Sequence, residues 1–338
     1  MFVTICTIRQ LPQAFALGDS LLHHAPGTDG QPEPFLIGLA DDPTYLPPGF
    51  VSPYPLLPLE TMLPVDTLRA LSAKYTPTEF AAACKPLFMA EVFRRYPTAL
   101  QLVYADPNLL FLHPLTAVWD QFHDANALLT PHITRHPGDQ AWPDEKFFQN
   151  VGLYSADFLA FRRSAETDRL LAWWRDRVEE RAYMDFCVGL CTDQLWLMHV
   201  PVFFQGTRIV KNPGWHVALW NLPERTLQPD GTGWRVTGPT DANQPLVFFN
   251  AKGLYNADEG FFPHQNRLRL SNRPDGRALL ATYRQAVAVH ANPTLTSRGT
   301  AYGQQPEPVV LRGWRRTTVR SMRAIMRFLD RVPLPAIR

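Results

Sequence analysis

The chain has 338 residues, 46% apolar and 19% charged, the balance of an ordinary soluble globular protein with room for one large core or one and a half. No apolar run reaches the roughly 18 residues of a membrane helix. Four cysteines (Cys6, Cys84, Cys187, Cys191) are too few and scattered for a disulfide framework or, without a histidine cluster, a zinc site. The net charge of +2 is uneven: Arg312 to Arg338 holds eight Arg and one Asp, a tail of +7 on a body of −5, which excludes a nucleic-acid-binding pattern spread over the fold.

The opening MFVTICTIRQLPQAF lacks a basic region followed by an apolar stretch and a small-residue cleavage site. No signal peptide is expected, and the cysteine usage fits a reduced cytoplasm. FVTICTI reads as a strand, Leu11 to His24 as an amphipathic helix, and PFLIGLADDP as a second strand ending in acids. Pro43 to Pro64 reads as loop, with at most a short strand around Leu56 to Leu59, because its prolines exclude a helix. A helix capped at Thr76 or Thr78, with Glu79 in its first turn, runs through Phe93; Pro86 is expected to kink or restart it.

ALQLVYADPN is a buried strand. A short helix over Leu115 to Phe122, the strand ALLTPHI and a polar loop over 136–146 follow. GLYSADFLAFRR reads as a strand pair or as a strand and turn, and Ser164 caps the clearest amphipathic helix. VGLCTDQLWLMHVPVFF reads as a helix, TRIVKNPG, WHVALWNL and PLVFFNAKG as strands, and Pro274 to Val289 as the final helix of the body. Alternating strands and helices predict an α/β fold with a mostly parallel central sheet flanked by helices. The expected division is a domain over 1–290 and, over 291–338, a linker and a basic amphipathic helix.

In open α/β sheets, ligands bind beyond the carboxyl ends of the strands. Thr4 to Thr7, Asp41 with Asp42, Asp106 to Asn108, and Asn250 to Gly253 all end or follow strand-like runs and are expected to converge. Asp-Pro-Asn is also ordinary turn chemistry, so a turn and a site both remain open for it.

The segment YTPTEFAAACKPLFMAEVFRRYPTALQLVYADPNLLFLHPL resembles the centre of GT-A glycosyltransferases, in particular family 8-like bacterial enzymes, where a helical lysine precedes a strand ending in Asp-x-Asp. The following NVGLYSADFLAFRRS, the Trp-rich helix, Asp193-Gln194, the Pro-Gly-to-Trp-Asn segment and PLVFFNAKG are similar to the second half of that family. The match spans roughly residues 75 to 272. It implies a GT-A fold and transfer of a sugar from a nucleotide-diphosphate donor to a carbohydrate or lipid-linked acceptor, retaining the anomeric configuration, in cell-envelope polysaccharide synthesis. It implies donor contacts at Thr4, Thr7, Asp41, Lys85, Asp106, Asn108, Asn150, Gly152, Lys252 and Gly253, with Asp193 and Gln194 at the reacting sugar.

Two positions depart from the pattern. Asn108 stands where the family has the second acid, and Asn250 where it has a histidine. The resemblance implies Mn2+ or Mg2+ held by Asp106, Asn108 and Asn250, as a weak or donor-dependent site, because two neutral amides replace stronger ligands. A non-catalytic relative that binds nucleotide or glycan as a partner protein is the alternative, and a metal-independent transferase in which Lys85 and Lys252 supply the charge is a third reading. The tail interleaves arginines with Trp314, Val319, Met322, Ile325, Met326 and Leu329. It suits an anionic membrane surface through residues 312–331, hence a location on the inner face of the plasma membrane, or a terminal helix packed on the acidic body.

Overall fold

Five consecutive buried residues, Phe2–Cys6, form the interior strand β1 of a seven-stranded sheet. The computed structural model describes residues 1–24, 33–231, 233–238 and 243–332, and divides into two compact units, Met1–Pro306 and Glu307–Arg338. Both faces of β1 are covered, so its sequence is apolar without alternation. On one side lie β2 (Phe35–Leu39) and then β3 (Leu56–Pro58), all parallel, and on the other β4 (Gln101–Ala105), also parallel.

The turn Asp106-Pro107-Asn108 follows β4 and leads at once into β5 (Leu109–Phe111), which leaves the main sheet. Next come β6 (Ala127–Pro131) and β7 (Tyr154–Arg162), a single nine-residue strand where a strand pair had been one of the options. A small hairpin, β8 (Met184–Asp185) and β9 (Leu190–Cys191), precedes β10 (Thr207–Ile209). The order is β10-β6-β7-β4-β1-β2-β3, and only β7 among these seven runs against the others.

A second sheet is built from β11 (Val217–Ala218), β15 (Phe248–Asn250) and β5. Between β11 and β15 the strands β12 (Thr226–Asp230), β13 (Gly233–Thr237) and β14 (Asn243–Pro245) make an antiparallel meander that the sequence pattern did not suggest. Its residues are largely polar and only half-covered, so no apolar alternation marks them.

Helix α1 (Leu11–His24) follows β1, and α2 (Val65–Lys74) and α3 (Pro77–Arg95) precede β4. The α3 start is a capping box: Thr76 Oγ1 accepts the Glu79 N–H at 3.3 Å, and Glu79 Oε2 accepts the Thr76 N–H at 3.0 Å. Pro86 does not restart this helix, which buries residues on both sides of it, including Phe80, Phe88, Val92 and Phe93. Short helices α4 (Thr116–Trp119) and α5 (Glu145–Val151) come next, then α6 (Ala165–Arg181), capped as expected by Ser164 Oγ on the Thr167 N–H.

The helix expected from Val188 is absent. In its place are the β8–β9 hairpin, a 3-10 run over Leu195–His199, and the single turn α7 (Val200–Phe203). Thr192 has a φ of +47°, which a continuous helix does not allow.

One sheet face packs Val3, Leu36, Leu102 and Tyr104 against Phe80, Phe88 and Trp174. The other packs Phe2, Ile37 and Val103 against Leu17, Phe111, Trp215 and Phe248. Helix α8 (Pro274–Val289), the turn α9 (Pro293–Thr296) and a strap over 299–306 complete the first unit. In the strap, Ala301 N–H donates to Asp41 Oδ1 at 2.8 Å and Gly303 N–H to Ser72 Oγ at 3.0 Å. The second unit is α10 (Gly313–Leu329), with no residue buried. Arg316, Arg320, Arg323 and Arg327, spaced four, three and four apart, form one stripe, and Trp314, Met322, Ile325 and Leu329 share another face.

Gly18 marks the closest approach of α1 to its neighbours: a Cβ there would lie 2.5 Å from the Tyr54 ring and 2.8 Å from that of Phe35. In an open helix, Gly→Ala stabilises by roughly 0.5–1 kcal/mol. Overpacking costs about 1–3 kcal/mol, so the clash wins here. Gly18→Ala is expected to lower the midpoint of thermal unfolding, and an unchanged or higher midpoint would show that α1 has room to shift.

Candidate active site

Strands β4 and β7 are neighbours of opposite direction, so the first half of β7 lies at the carboxyl end of β4. Asp106 follows β4, and its N–H donates to the Asp157 carbonyl at 2.8 Å. The two carboxyl groups share one cation. Lys252 Nζ is 2.7 Å from Asp106 Oδ2 and 2.5 Å from Asp157 Oδ1. Lys252 gets there because β15 pairs with β5, which starts one residue after Asn108; Ala251 N–H donates to the Asn108 carbonyl at 2.9 Å. Gly253 and Gly260, both at positive φ, bracket the loop that brings Glu259 back over Lys252.

The two asparagines are committed. Asn250 Oδ1 accepts the Lys252 N–H at 2.9 Å, so its amide NH2 faces inward, 2.8 Å from Asp157 Oδ2 and 3.0 Å from His216 Nε2. An N–H only donates, which fixes this orientation. Asn108 directs its NH2 to Asp106 Oδ1 at 3.0 Å and Glu259 Oε1 at 2.8 Å, while its Oδ1 accepts from Gln13 Nε2 at 3.0 Å. Both amides therefore turn nitrogen, not oxygen, towards the carboxylates. Among the described residues, no three His, Cys, Asp or Glu side chains form a group able to hold a metal ion.

A second buried pair lies alongside. Lys85 Nζ, from α3, is 2.8 Å from Asp193 Oδ2 and 3.2 Å from the Ala156 carbonyl. Gln194 spans two backbones, with Nε2 donating to the Val151 carbonyl at 2.6 Å and Oε1 accepting the Ala156 N–H at 3.1 Å. Gly152, at φ +107°, lets this happen: a Cβ there would sit 3.1 Å from the Gln194 carbonyl oxygen. The tripeptide Ser155-Ala156-Asp157 is thus the hub joining Lys85, Gln194 and Lys252.

Other expected donor contacts are spread more widely. Thr4 is fully buried within β1, with no hydrogen-bond partner for Oγ1 among the described residues. Thr7 contacts Gln10, and Gln10 Nε2 reaches Glu259 at 3.3 Å. Asp41 accepts backbone N–H groups of Ile8, Asp42 and Ala301, and burial still raises its pKa. Asn150 is exposed near the end of α5, whereas Gly152 is buried against Gln194. Gly253 follows Lys252 at φ +75°.

Sequence reasoning missed Asp157, His216, Glu259 and Gln13. An acid inside the apolar run SADFLAF was the available signal for Asp157. His216, at φ +51°, sits in a stretch that reads as an ordinary strand.

The charges are unequal. Burial works against Asp157, but Lys252 and then Lys85 outweigh it and hold its carboxyl well below the usual range. Asp106 goes the other way, raised by burial. Burial also raises Glu259. Lys252 is held above the ordinary lysine range because Asp106 and Asp157 outweigh its burial.

No family model matches the chain. It is 23% identical over 177 residues to the uncharacterized protein YfnF of Bacillus subtilis (strain 168), covering 52% of this chain and 57% of that protein. It is 23% identical over 208 residues to the uncharacterized protein YfnD of the same organism, covering 58% and 60%. The chain thus spans less than two thirds of the length of these relatives. Its fold is similar to that of the galactosyltransferase LgtC in complex with donor and acceptor sugar analogs, with a TM-score of 0.47 and 13% identity over 85% of this chain and 95% of that one. It is also similar to mouse xyloside xylosyltransferase 1 in its apo form, with a TM-score of 0.36 and 11% identity over 64% and 87%.

His216 carries a pH signature. Its Nε2 accepts from Asn250, so the ring proton is on Nδ1, 2.7 Å from Thr130 Oγ1, and the ring is neutral. Burial lowers its pKa from 6.5 to about 3, and that of His132 to about 4. A histidine buried neutral contributes stability that is complete above the unfolded pKa and lost as pH falls towards the folded one, at up to about 1.4 kcal/mol per pH unit. Resistance of the wild type to urea should weaken as pH falls from 6.5 to 4.5. His216→Gln should flatten that slope by up to the same amount, and an unaltered slope would mean the ring titrates normally.

Proposed function

We propose that the chain is a glycosyltransferase that moves a sugar from a nucleotide-diphosphate donor to a carbohydrate or lipid-linked acceptor. One observation carries this reading: two lysines, the buried Lys85 and the part-buried Lys252, meet buried carboxylates at the carboxyl end of the sheet. Buried ion pairs are poor devices for stability alone, since apolar side chains of the same volume often do as well. Their place is where open α/β sheets bind ligands, and a diphosphate leaving group needs fixed positive charge as the sugar bond breaks.

The chain order of Lys85, Asp106-Pro107-Asn108, Asn150-Val151-Gly152, Asp193-Gln194 and Asn250-Ala251-Lys252-Gly253, and its resemblance to family 8-like enzymes, support the same reading. Transfer with retention needs no strong in-line base, because the departing diphosphate takes the acceptor proton. One lone pair of Gln194 Oε1 accepts the Ala156 N–H, and the second serves the positive charge growing at the anomeric carbon. A cell-envelope polysaccharide is the product class. Thr4, Thr7, Asp41 and Gly253 complete the donor contacts.

The commitment of Asn108 and Gln194 to internal hydrogen bonds favours one rival, a binding protein without turnover. Melting curves with a panel of nucleotide diphosphates, followed by assay of nucleotide diphosphate release from the matching sugar donors, separate the two. A ligand at 100 times its dissociation constant adds about 2.7 kcal/mol of stability. We expect one nucleotide to raise the melting midpoint, Lys85→Met to shrink that shift, and the matching donor to be turned over. A shift without release from any donor and glycan acceptor marks the rival; no shift with any nucleotide sinks the transferase and the nucleotide-binding form of the rival.

The tail holds the enzyme on an anionic membrane, at the inner face of the plasma membrane, near a lipid-linked acceptor. Arginines close to such a surface each add on the order of 1 kcal/mol, less as salt screens them. Trp314 is 77% exposed and supplies an apolar anchor together with Ile325 and Leu329. Vesicles rich in anionic lipid should sediment the protein at low salt, neutral vesicles should not, and deletion of 312–338 should abolish sedimentation while keeping the nucleotide-induced shift. Equal recovery with neutral vesicles, or none with either, rejects this role.

A further inference from the structure

We propose that Lys252 is a resident cation, taking the place of a divalent metal between Asp106 and Asp157 and itself meeting the donor diphosphate. The proposal rests on the donor reading above and goes beyond it in naming what neutralises the leaving group.

Three observations lead to it. The ammonium lies between the carboxylates of two adjacent strands, 2.7 Å and 2.5 Å from their oxygens. A cation coordinating both acids would have to displace it. Next, the amide oxygens that would complete a metal shell are engaged elsewhere. Asn250 Oδ1 accepts the backbone N–H of Lys252, so the residue that supplies the charge also holds the amide with its NH2, not its oxygen, facing Asp157. Asn108 Oδ1 is held by Gln13. The inward faces of both asparagines are N–H donors, which suit carboxylates and repel cations. Lastly, an ammonium has three donors and the two carboxylates take two of them. The side chain remains 17% exposed, so a phosphate oxygen arriving from solvent can take the third.

The charge pattern agrees. Lys252 and Asp157 make a neutral pair beside Asp106, and Lys85 adds a second fixed cation nearby. A lysine so placed is a point charge tethered through its own strand, as phosphate-binding lysines are elsewhere.

The test has two arms. In the first, Mn2+ alone is titrated into the protein and free Mn2+ is read by electron paramagnetic resonance. Wild type should leave Mn2+ free. Lys252→Ala should bind it and gain thermal stability from it, because the acid pair is opened, and Lys252→Ala with Asp157→Asn should lose that binding. Wild-type binding of Mn2+ that Asp106→Asn removes would overturn the proposal. So would a folded Lys252→Ala protein that leaves Mn2+ free.

In the second arm, the nucleotide diphosphate selected by the melting screen is titrated by calorimetry, with excess EDTA and then with Mn2+. Wild type should bind equally in both. Lys252→Met should bind at least roughly tenfold more weakly, and Lys252→Arg should keep most of the affinity. Binding lost in EDTA and restored by Mn2+ overturns the resident cation but leaves the donor reading standing. No binding of any nucleotide in either condition overturns the donor reading, and the claim that Lys252 meets a diphosphate falls with it.

Discussion

Asp106 and Asp157 stand side by side because β4 and β7 are hydrogen-bonded neighbours, and both are shielded from water. Two carboxylates cannot remain charged in that setting without a counter-charge, and a buried ion stripped of its partner costs about 3–5 kcal/mol. The Lys252 ammonium supplies it. Much of the surrounding architecture reads as the means of delivering that one group. β5 peels off the main sheet immediately after the Asp-Pro-Asn turn, β15 pairs with β5, and Lys252 leaves β15 at the level of the acid pair. The reversed direction of β7 places Asp157, rather than a residue near Arg162, at that end of the sheet.

Neutral groups then have to fit around the charged ones. Asp157 Oδ2 needs a donor, which Asn250 provides, and the second N–H of that amide needs an acceptor, which His216 provides only as a neutral ring. Thr130 Oγ1 accepts the Nδ1 proton on the far side. The φ of +51° at His216 is the local distortion that aims the ring, and unusual backbone of this kind is sustained where surrounding contacts over-determine it. Asn108 does the same for Asp106 and Glu259, steadied by Gln13 from α1. An aspartate at either asparagine would place a third carboxylate against the pair, with no donor to answer it.

The sequence makes much of this frame visible because local rules govern it. The β1–α1–β2 start, the capped α3, the strand ending at Asp106, the capped α6 and α8 all follow from burial pattern and caps. Asp106, Asn250 and Lys252 were legible as polar residues at strand ends, and Lys85 as a lysine on an otherwise apolar helix face. Asp157 and His216 were not, because their role depends on which strand lies beside which, and no local pattern encodes that β7 runs backwards next to β4. Glu259 lies on a loop tied down by glycines at positive φ, where periodicity gives no information. The meander over β12 to β14 escaped for a related reason, being a polar, half-exposed ribbon without the alternation of a strand that faces a core.

A metal ion and a lysine solve the same electrostatic problem differently. A divalent ion brings two charges from solution, and its shell must be assembled when the donor binds. An ammonium brings one charge, but it is already in position, so on the proposed reading little reorganisation would accompany negative charge developing on a diphosphate. A second fixed cation stands close by. Lys85, held by Asp193 on the other side of Ala156, acts on the same two carboxylates from a fixed position. The two lysines thus belong together, each answering a buried carboxylate at the same end of the sheet.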